Sequence, residues 1–83
     1  MRETAPAADA TLDAGVTSCG DLVLLMVRQM RAMNAGQVLH VVAYDRGALE
    51  DLPAWCRMTN NPLRHQVVSK DSAKPLHFYI QKG

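Results

Sequence analysis

Cys19, followed by Gly20 and Asp21, is the residue whose type and setting first invite chemistry. The apolar spacing that follows predicts a helix beginning at Asp21, which puts Cys19 directly ahead of a helix N-terminus. Unpaired backbone N–H groups and the positive end of the helix dipole there favour a thiolate over a thiol. Gly20 leaves the sulfur accessible, whereas the carboxylate of Asp21 opposes ionisation beside it. A thiolate so placed is a nucleophile at neutral pH; the plainer reading is a small inert residue in a loop. The other cysteine, Cys56, sits between Trp55 and Arg57 on the side of a second helix assigned to the core, where cysteines serve mainly as packing residues.

The remaining candidates carry weaker signals. His40, His65 and His77 fall on three separate strands, so a metal site requires them to converge on one sheet face with help from a cysteine or carboxylate. No two of them have local ligand spacing, and the simpler expectation is solvent-facing strand histidines, hence no metal site. The five glycines never cluster into a phosphate loop and no Ser-His-Asp signature appears, so no cofactor is expected. Asp51 reads as a helix cap and Asp45 as a turn former.

These residues must be positioned by elements that the hydrophobic periodicity outlines. Thr11–Ala14 forms a short edge strand closed by Gly15. Asp21–Asn34 is a helix with Leu22, Val23, Met26, Val27, Met30 and Met33 on one side and Leu24, Arg28 and Arg31 on the other; Gly36 stops it. An exposed Leu between two Arg makes a candidate docking patch, although single surface leucines are common. Gln37–Tyr44 alternates as a strand, Leu39, Val41 and Ala43 facing one way and Val38, His40, Val42 and Tyr44 the other. After the turn Asp45-Arg46-Gly47, a second helix is capped by Asp51 with Pro53 in its first turn, buries Leu52, Trp55, Cys56 and Thr59, and ends at Asn60-Asn61-Pro62. A third strand runs near Leu63–Ser69, a polar hairpin loop spans Lys70–Lys74, and Leu76–Lys82 is a fourth strand with Leu76, Phe78 and Ile80 on one face and His77, Tyr79 and Gln81 on the other.

The order is thus β-α-β-α-β-β. A strand, a crossover helix and a strand give a parallel pair, and the final hairpin adds an antiparallel one, so the sheet is mixed. Two short helices cover one face of four strands, which predicts a two-layer α/β (α+β) sandwich whose other face, with His40, Val42, Tyr44, His77 and Tyr79, is open to water or a partner.

Composition narrows the function classes. Eighty-three residues, 48% apolar and 20% charged with four aromatics, suffice for one core. A formal charge of +1 argues against a dedicated nucleic-acid or anionic-membrane binder. The longest apolar run is Leu22–Val27, far short of the ~20 residues a membrane span needs. Residues 1–10 lack the apolar stretch of a signal peptide and read as a disordered leader to a single domain over 11–83, in a cytoplasmic protein whose two cysteines are free thiols.

Taken together, these residues resemble the TusA/SirA-like family of sulfur carriers over Leu12 to Lys82. The resemblance rests on Leu12-Asp13-Ala14, on Cys19 six residues after Asp13, on the helix closed by Ala35-Gly36, and on the strand Val38-Leu39-His40-Val41 ending in Asp45. Asp51-Leu52-Pro53-Ala54-Trp55-Cys56-Arg57 is its most specific part. Thr59-Asn60-Asn61-Pro62-Leu63 is similar to the family's helix exit with Asn at its Gly and His positions, and Phe78-Tyr79-Ile80-Gln81-Lys82 to its terminal strand. The family's Cys-Pro-x-Pro motif here reads Cys19-Gly20-Asp21-Leu22, without either proline and with an acid near the sulfur. Gly20 loosens the backbone where proline would fix it.

The resemblance implies the same β-α-β-α-β-β sandwich and a sulfur carrier, a sulfurtransferase without metal or organic cofactor. It would hold sulfur as a persulfide on Cys19. A cysteine desulfurase or a rhodanese-like protein would be the donor, and a relay protein the acceptor, in tRNA thiolation, sulfur oxidation or cofactor biosynthesis. Gly20, Asp21, Leu24, Arg28 and Arg31 would form the docking rim of a monomer or weak dimer. Two other readings stay open on the residues alone: a non-catalytic binding or regulatory module using the open sheet face, and thiol-dependent metal or redox sensing through Cys19.

Overall fold

The computed structural model describes residues 7–15, 19–68, 71 and 74–83, with 14, 15, 19 and 20 described by backbone alone. The elements follow in the expected order: β1 (Ala10–Gly15), α1 (Cys19–Arg31), β2 (Val38–Ala43), α2 (Ala48–Thr59), β3 (Leu63–Val67) and β4 (Leu76–Gln81). They form a four-stranded sheet in the order β1-β2-β4-β3. β1 and β2 are parallel, with α1 as their crossover, and β4 pairs antiparallel with both β2 and β3. The first strand starts slightly earlier than expected: Ala10 opens β1, and Asp9 exchanges two 2.8 Å hydrogen bonds with Val38, donating from its N–H to the carbonyl and accepting at Oδ2 from the N–H.

Strand alternation decides which side is buried. Leu39, Val41 and Ala43 of β2 and Leu76, Phe78 and Ile80 of β4 are fully buried beneath the helices, while their neighbours are half-exposed on the other face. From α1 the core receives Leu22, Met26 and Met30, joined by Met33 from the turn that follows; from α2 it receives Ala48, Leu52 and Cys56. Four-residue steps place each of these sets on one side of its helix. Leu24, Arg28 and Arg31 are exposed on the other side of α1, as expected, with Leu24 65% exposed.

Three local expectations require correction. First, α1 begins at Cys19 rather than Asp21 and ends at Arg31 rather than Asn34. The end is drawn in by tight turns, with the N–H of Ala32 and of Met33 each bonding three residues back, and by Gly36 at φ 92°, a left-handed conformation that glycine adopts without steric cost. Second, Asp51 does not cap α2. Asp45 Oδ1 accepts from the Gly47 N–H at 2.9 Å, and the Ala48 and Leu49 N–H groups bond to the Asp45 and Arg46 carbonyls, so the turn after β2 continues straight into the helix. Gly47 is the N-cap, without a side-chain cap bond, and Pro53 lies inside α2 past its first turn. Third, Thr59 is exposed, its hydroxyl donating to the Trp55 carbonyl at 2.7 Å, because the core ends at Cys56. Asn60 does end the helix as expected, at φ 61° and ψ 37°.

The C-terminus closes the helical layer. Lys82 Nζ donates to the carbonyls of Met30 and Met33 at 2.5 and 2.6 Å, placing a cation at the C-terminal end of α1. The Lys82 backbone bonds Gly36 and Gln37 at 2.8 Å each, holding the turn after α1 against the end of β4.

Candidate functional site

Topology assembles the site from two parallel strand-to-helix connections. Because β1 and β2 run in the same direction, α1 leaves the carboxyl end of β1 and α2 the carboxyl end of β2. Both helix N-termini therefore lie at one end of the sheet, the end toward which open α/β sheets direct their functional groups. The pairing of Gly15 with Ala43 and of Ala43 with Leu76 brings the ends of β1 and β2 and the start of β4 to the same level.

Cys19 is the first residue of α1 at this end. The side chain of Cys19 lies outside the described residues. Asp21 is in the first turn of α1 and exposed, a position that stabilises the helix against its own dipole.

The other helix start offers a useful contrast. The four leading N–H groups of α2, from Ala48 to Asp51, are all bonded to carbonyls of residues 45–47, so that terminus is closed by its own turn. Arg46 in that turn donates from its guanidinium to the Asp71 carbonyl at 2.9 Å and ties it to the loop between β3 and β4. Arg46 and Asp71 thus flank the end of the sheet that bears Cys19. Sequence reasoning assigned them no part in the site, since nothing local joins residues so far apart in the chain.

Cys56 occupies the opposite situation. It is 4% exposed on the inner side of α2, and burial pushes its thiol up to about 11, partly offset by the neighbouring Arg57. A thiol held protonated is a poor nucleophile, and the expectation of a packing cysteine stands. A groove of about 540 Å³ lined by Pro53, Cys56, Arg57, Asn60, Pro62 and Leu63 opens beside it. This concavity belongs to the far end of α2 and the start of β3, away from the helix N-termini.

The expected histidine positions are met in part. His40, His77 and His65 all face the open side of the sheet, with Tyr79 among them. His40 Nε2 and His77 Nδ1 are 2.9 Å apart. His65 meets the edge of Tyr79, with ring centroids 5.6 Å apart, instead of joining the other two. Among the described residues, no three His, Cys, Asp or Glu side chains come together as a metal site, and no helix is long and apolar enough to cross a membrane.

Residues 10–82 match the family model described as Sulfurtransferase TusA. The chain is similar to the sulfur carrier protein TusA of Allochromatium vinosum, 38% identical over 75 residues that cover 90% of this chain and 95% of that protein. It is also 36% identical over 75 residues to YrkI of Bacillus subtilis, a candidate sulfur carrier by its name, covering 90% of this chain and 96% of that one.

Proposed function

The chain belongs to the TusA family of sulfur carriers, and on that premise we propose that Cys19 carries the sulfur, as a persulfide, from a donor protein to an acceptor protein. The observation that supports this most directly is the position of Cys19 as the first residue of α1, at the end of the sheet where both helices begin.

The chemistry is two exchanges at one sulfur. The Cys19 thiolate attacks the terminal sulfur of a donor persulfide; the donor S–S bond breaks, the donor leaves as a thiolate, and Cys19 holds –S–SH. An acceptor thiolate then attacks that terminal sulfur, and Cys19 departs as a thiolate. No electrons are gained or lost overall, and the departing thiolates take up the protons released by the attacking thiols. The Cys19 sulfur is anionic before the first exchange and becomes so again as it departs in the second, and the N–H groups of the first turn of α1 would stabilise that charge. Gly20, in place of proline, leaves one further N–H in that turn. No cofactor enters either exchange.

A cysteine desulfurase or rhodanese-like protein fits as donor, and a thiol-bearing relay protein as acceptor, in tRNA thiolation, sulfur oxidation or cofactor biosynthesis in the cytoplasm. Docking would use Gly20 and Asp21 beside the sulfur and Leu24, Arg28 and Arg31 on the outer side of α1, where the exposed Leu24 offers an apolar contact one turn ahead of two cations. Near-zero net charge suits partners recognised by such a local patch.

The test is to incubate the protein with a cysteine desulfurase and cysteine and measure intact mass. A gain of one sulfur atom, lost in Cys19→Ser, retained in Cys56→Ser and removed by a thiol reductant, is expected. Sulfur located on Cys56, or no sulfur with either a desulfurase or a rhodanese-like donor, overturns the carrier reading in favour of a binding module.

A further inference from the structure

A line of rings crosses the open face of the sheet. Strand register places Thr11, His40, Tyr79 and His65 in one row across all four strands, and Asp13, Val42, His77 and Val67 in the next. His40 lies flat on Tyr79, centroids 4.5 Å apart and planes 2° from parallel. It meets His77 on the diagonal, with Nε2 and Nδ1 separated by 2.9 Å, ring centroids by 5.1 Å and planes by 23°. A face-to-face pair at that centroid distance would hold the two nitrogens farther apart. The imidazoles therefore meet edge to edge near a common plane, each nitrogen aimed at the other.

This geometry selects the proton over a metal ion. A tetrahedral zinc at ~2.0–2.1 Å from both nitrogens would hold them about 3.3–3.4 Å apart, and no third ligand joins the pair among the described residues. One hydrogen fits between the nitrogens, donated by whichever ring carries it.

We infer that His40 and His77 act as a single-proton unit: the pair accepts one proton beyond its neutral state with the ring line intact, and a second proton breaks the His40–His77 bond and separates His40 from Tyr79. In the neutral pair one N–H donates to the other ring's nitrogen. With one added proton the bond becomes charge-assisted and stronger. With two, both nitrogens carry hydrogens, no acceptor remains, and two cations face each other at contact distance.

The neighbours on every strand act on this balance. Asp13 on β1 faces the same side and favours a charged imidazole, while Thr11 beside His40 is neutral. Val42, Val67 and the ring of Tyr79 exclude water and oppose charge. His65, across Tyr79, adds repulsion when it is itself charged. The net direction is set by burial first and His77 second, which together hold His40 below the ordinary histidine value. Since α1 and α2 lie on the other side of the sheet, this change in the open face leaves the helix that begins at Cys19 in place, and the inference does not depend on what Cys19 does.

The test is an NMR pH titration of the full chain, following the imidazole nitrogens of His40 and His77 and the ring protons of Tyr79, in the wild type and in His77→Asn. His40 is expected to take up its proton at lower pH in the wild type than in His77→Asn, and Tyr79 is expected to shift with the same midpoint as His40. Equal His40 titrations in the two proteins, or a Tyr79 ring that stays still when both imidazoles have become charged, overturn the inference. Should His77→Asn fail to fold, the wild type alone decides: coincident His40 and Tyr79 midpoints support it, and separate ones overturn it.

Discussion

The two faces of the sheet are made by alternate residues of the same strands, yet they solve opposite problems. On the covered face Leu39, Val41, Ala43, Leu76, Phe78 and Ile80 are fully buried, and among the described residues no polar side chain is buried with them. On the open face the intervening positions hold His40, Val42, His77 and Tyr79, half-exposed and held together by ring contacts and one nitrogen-to-nitrogen hydrogen bond. The difference teaches where this small domain obtains its stability and where it can tolerate change. The covered face supplies the hydrophobic term that fixes the fold and orients both helix starts. The open face keeps polar rings at the surface, where their charge state can vary without unpacking the core.

The sharpest way to break this comparison is a pair of truncations at adjacent positions. Phe78→Ala empties the centre of the covered face and is expected to cost about 3–5 kcal/mol, enough to consume much of a small domain's stability. Tyr79→Ala, one residue along on the open face, removes only cross-strand ring contacts and is expected to cost about 1 kcal/mol. Urea denaturation followed by the fluorescence of the single tryptophan, Trp55, which packs against the core, measures both. Equal losses at the two positions would show that the open face is covered in solution.

The next largest effect is expected at the polar closure of the covered face. Lys82→Met keeps the apolar stem but removes the cation from the Met30 and Met33 carbonyls at the end of α1. Hydrogen bonds from a charged donor and the helix-dipole interaction together predict a loss of about 1–2 kcal/mol. Amide exchange should speed up first in the last turn of α1. An unchanged exchange pattern there would mean that the lysine is solvated and the helix end is satisfied by water.

How much of this was legible in the sequence follows from the range of each interaction. The alternation of Leu39, Val41 and Ala43 against His40 and Val42, and of Leu76, Phe78 and Ile80 against His77 and Tyr79, is a local period-two signal, and the structure reproduces it. The helix starts were harder. Cys19 and Gly20 are weak helix formers, so the apolar pattern appeared to begin at Asp21, and Asp51 resembled a cap although the turn from Asp45 had already started α2. The Lys82 contact with Met30 and Met33, the Arg46 contact with Asp71 and the His40–His77 bond join residues distant in the chain and leave no local trace. Of the candidate site, the residue Cys19 and the outer patch on α1 could be read from the chain, and the rim supplied by the loops could not.

Cys56 provides a smaller test within the covered face. In Cys56→Ser a hydroxyl replaces a thiol that is 4% exposed. Burial without an adequate partner costs about 1 kcal/mol where the serine turns back onto the preceding helical turn, and more where it does not. A stability loss measured by denaturation together with unimpaired sulfur loading would separate its packing role from any part in the chemistry. Loss of loading in a folded Cys56→Ser protein would contradict the division between the two cysteines.

The smallest expected effect is the dependence of stability on mild acid, and it belongs to the open face alone. His40 is held below its ordinary value by burial and by His77, so between that lowered value and the ~6.5 of a free histidine the unfolded chain binds more protons than the folded one. The stabilising contribution is therefore fully present above about pH 6.5 and is lost as pH falls through the folded-state value of His40. Denaturant midpoints measured across this window should decline in the wild type, and His40→Asn should remove His40's share of the slope without adding one elsewhere. His77→Asn should also flatten it in part, because burial of His40, the larger cause, remains. A slope unchanged in His40→Asn would assign the acid sensitivity to other groups and leave the open face electrostatically passive.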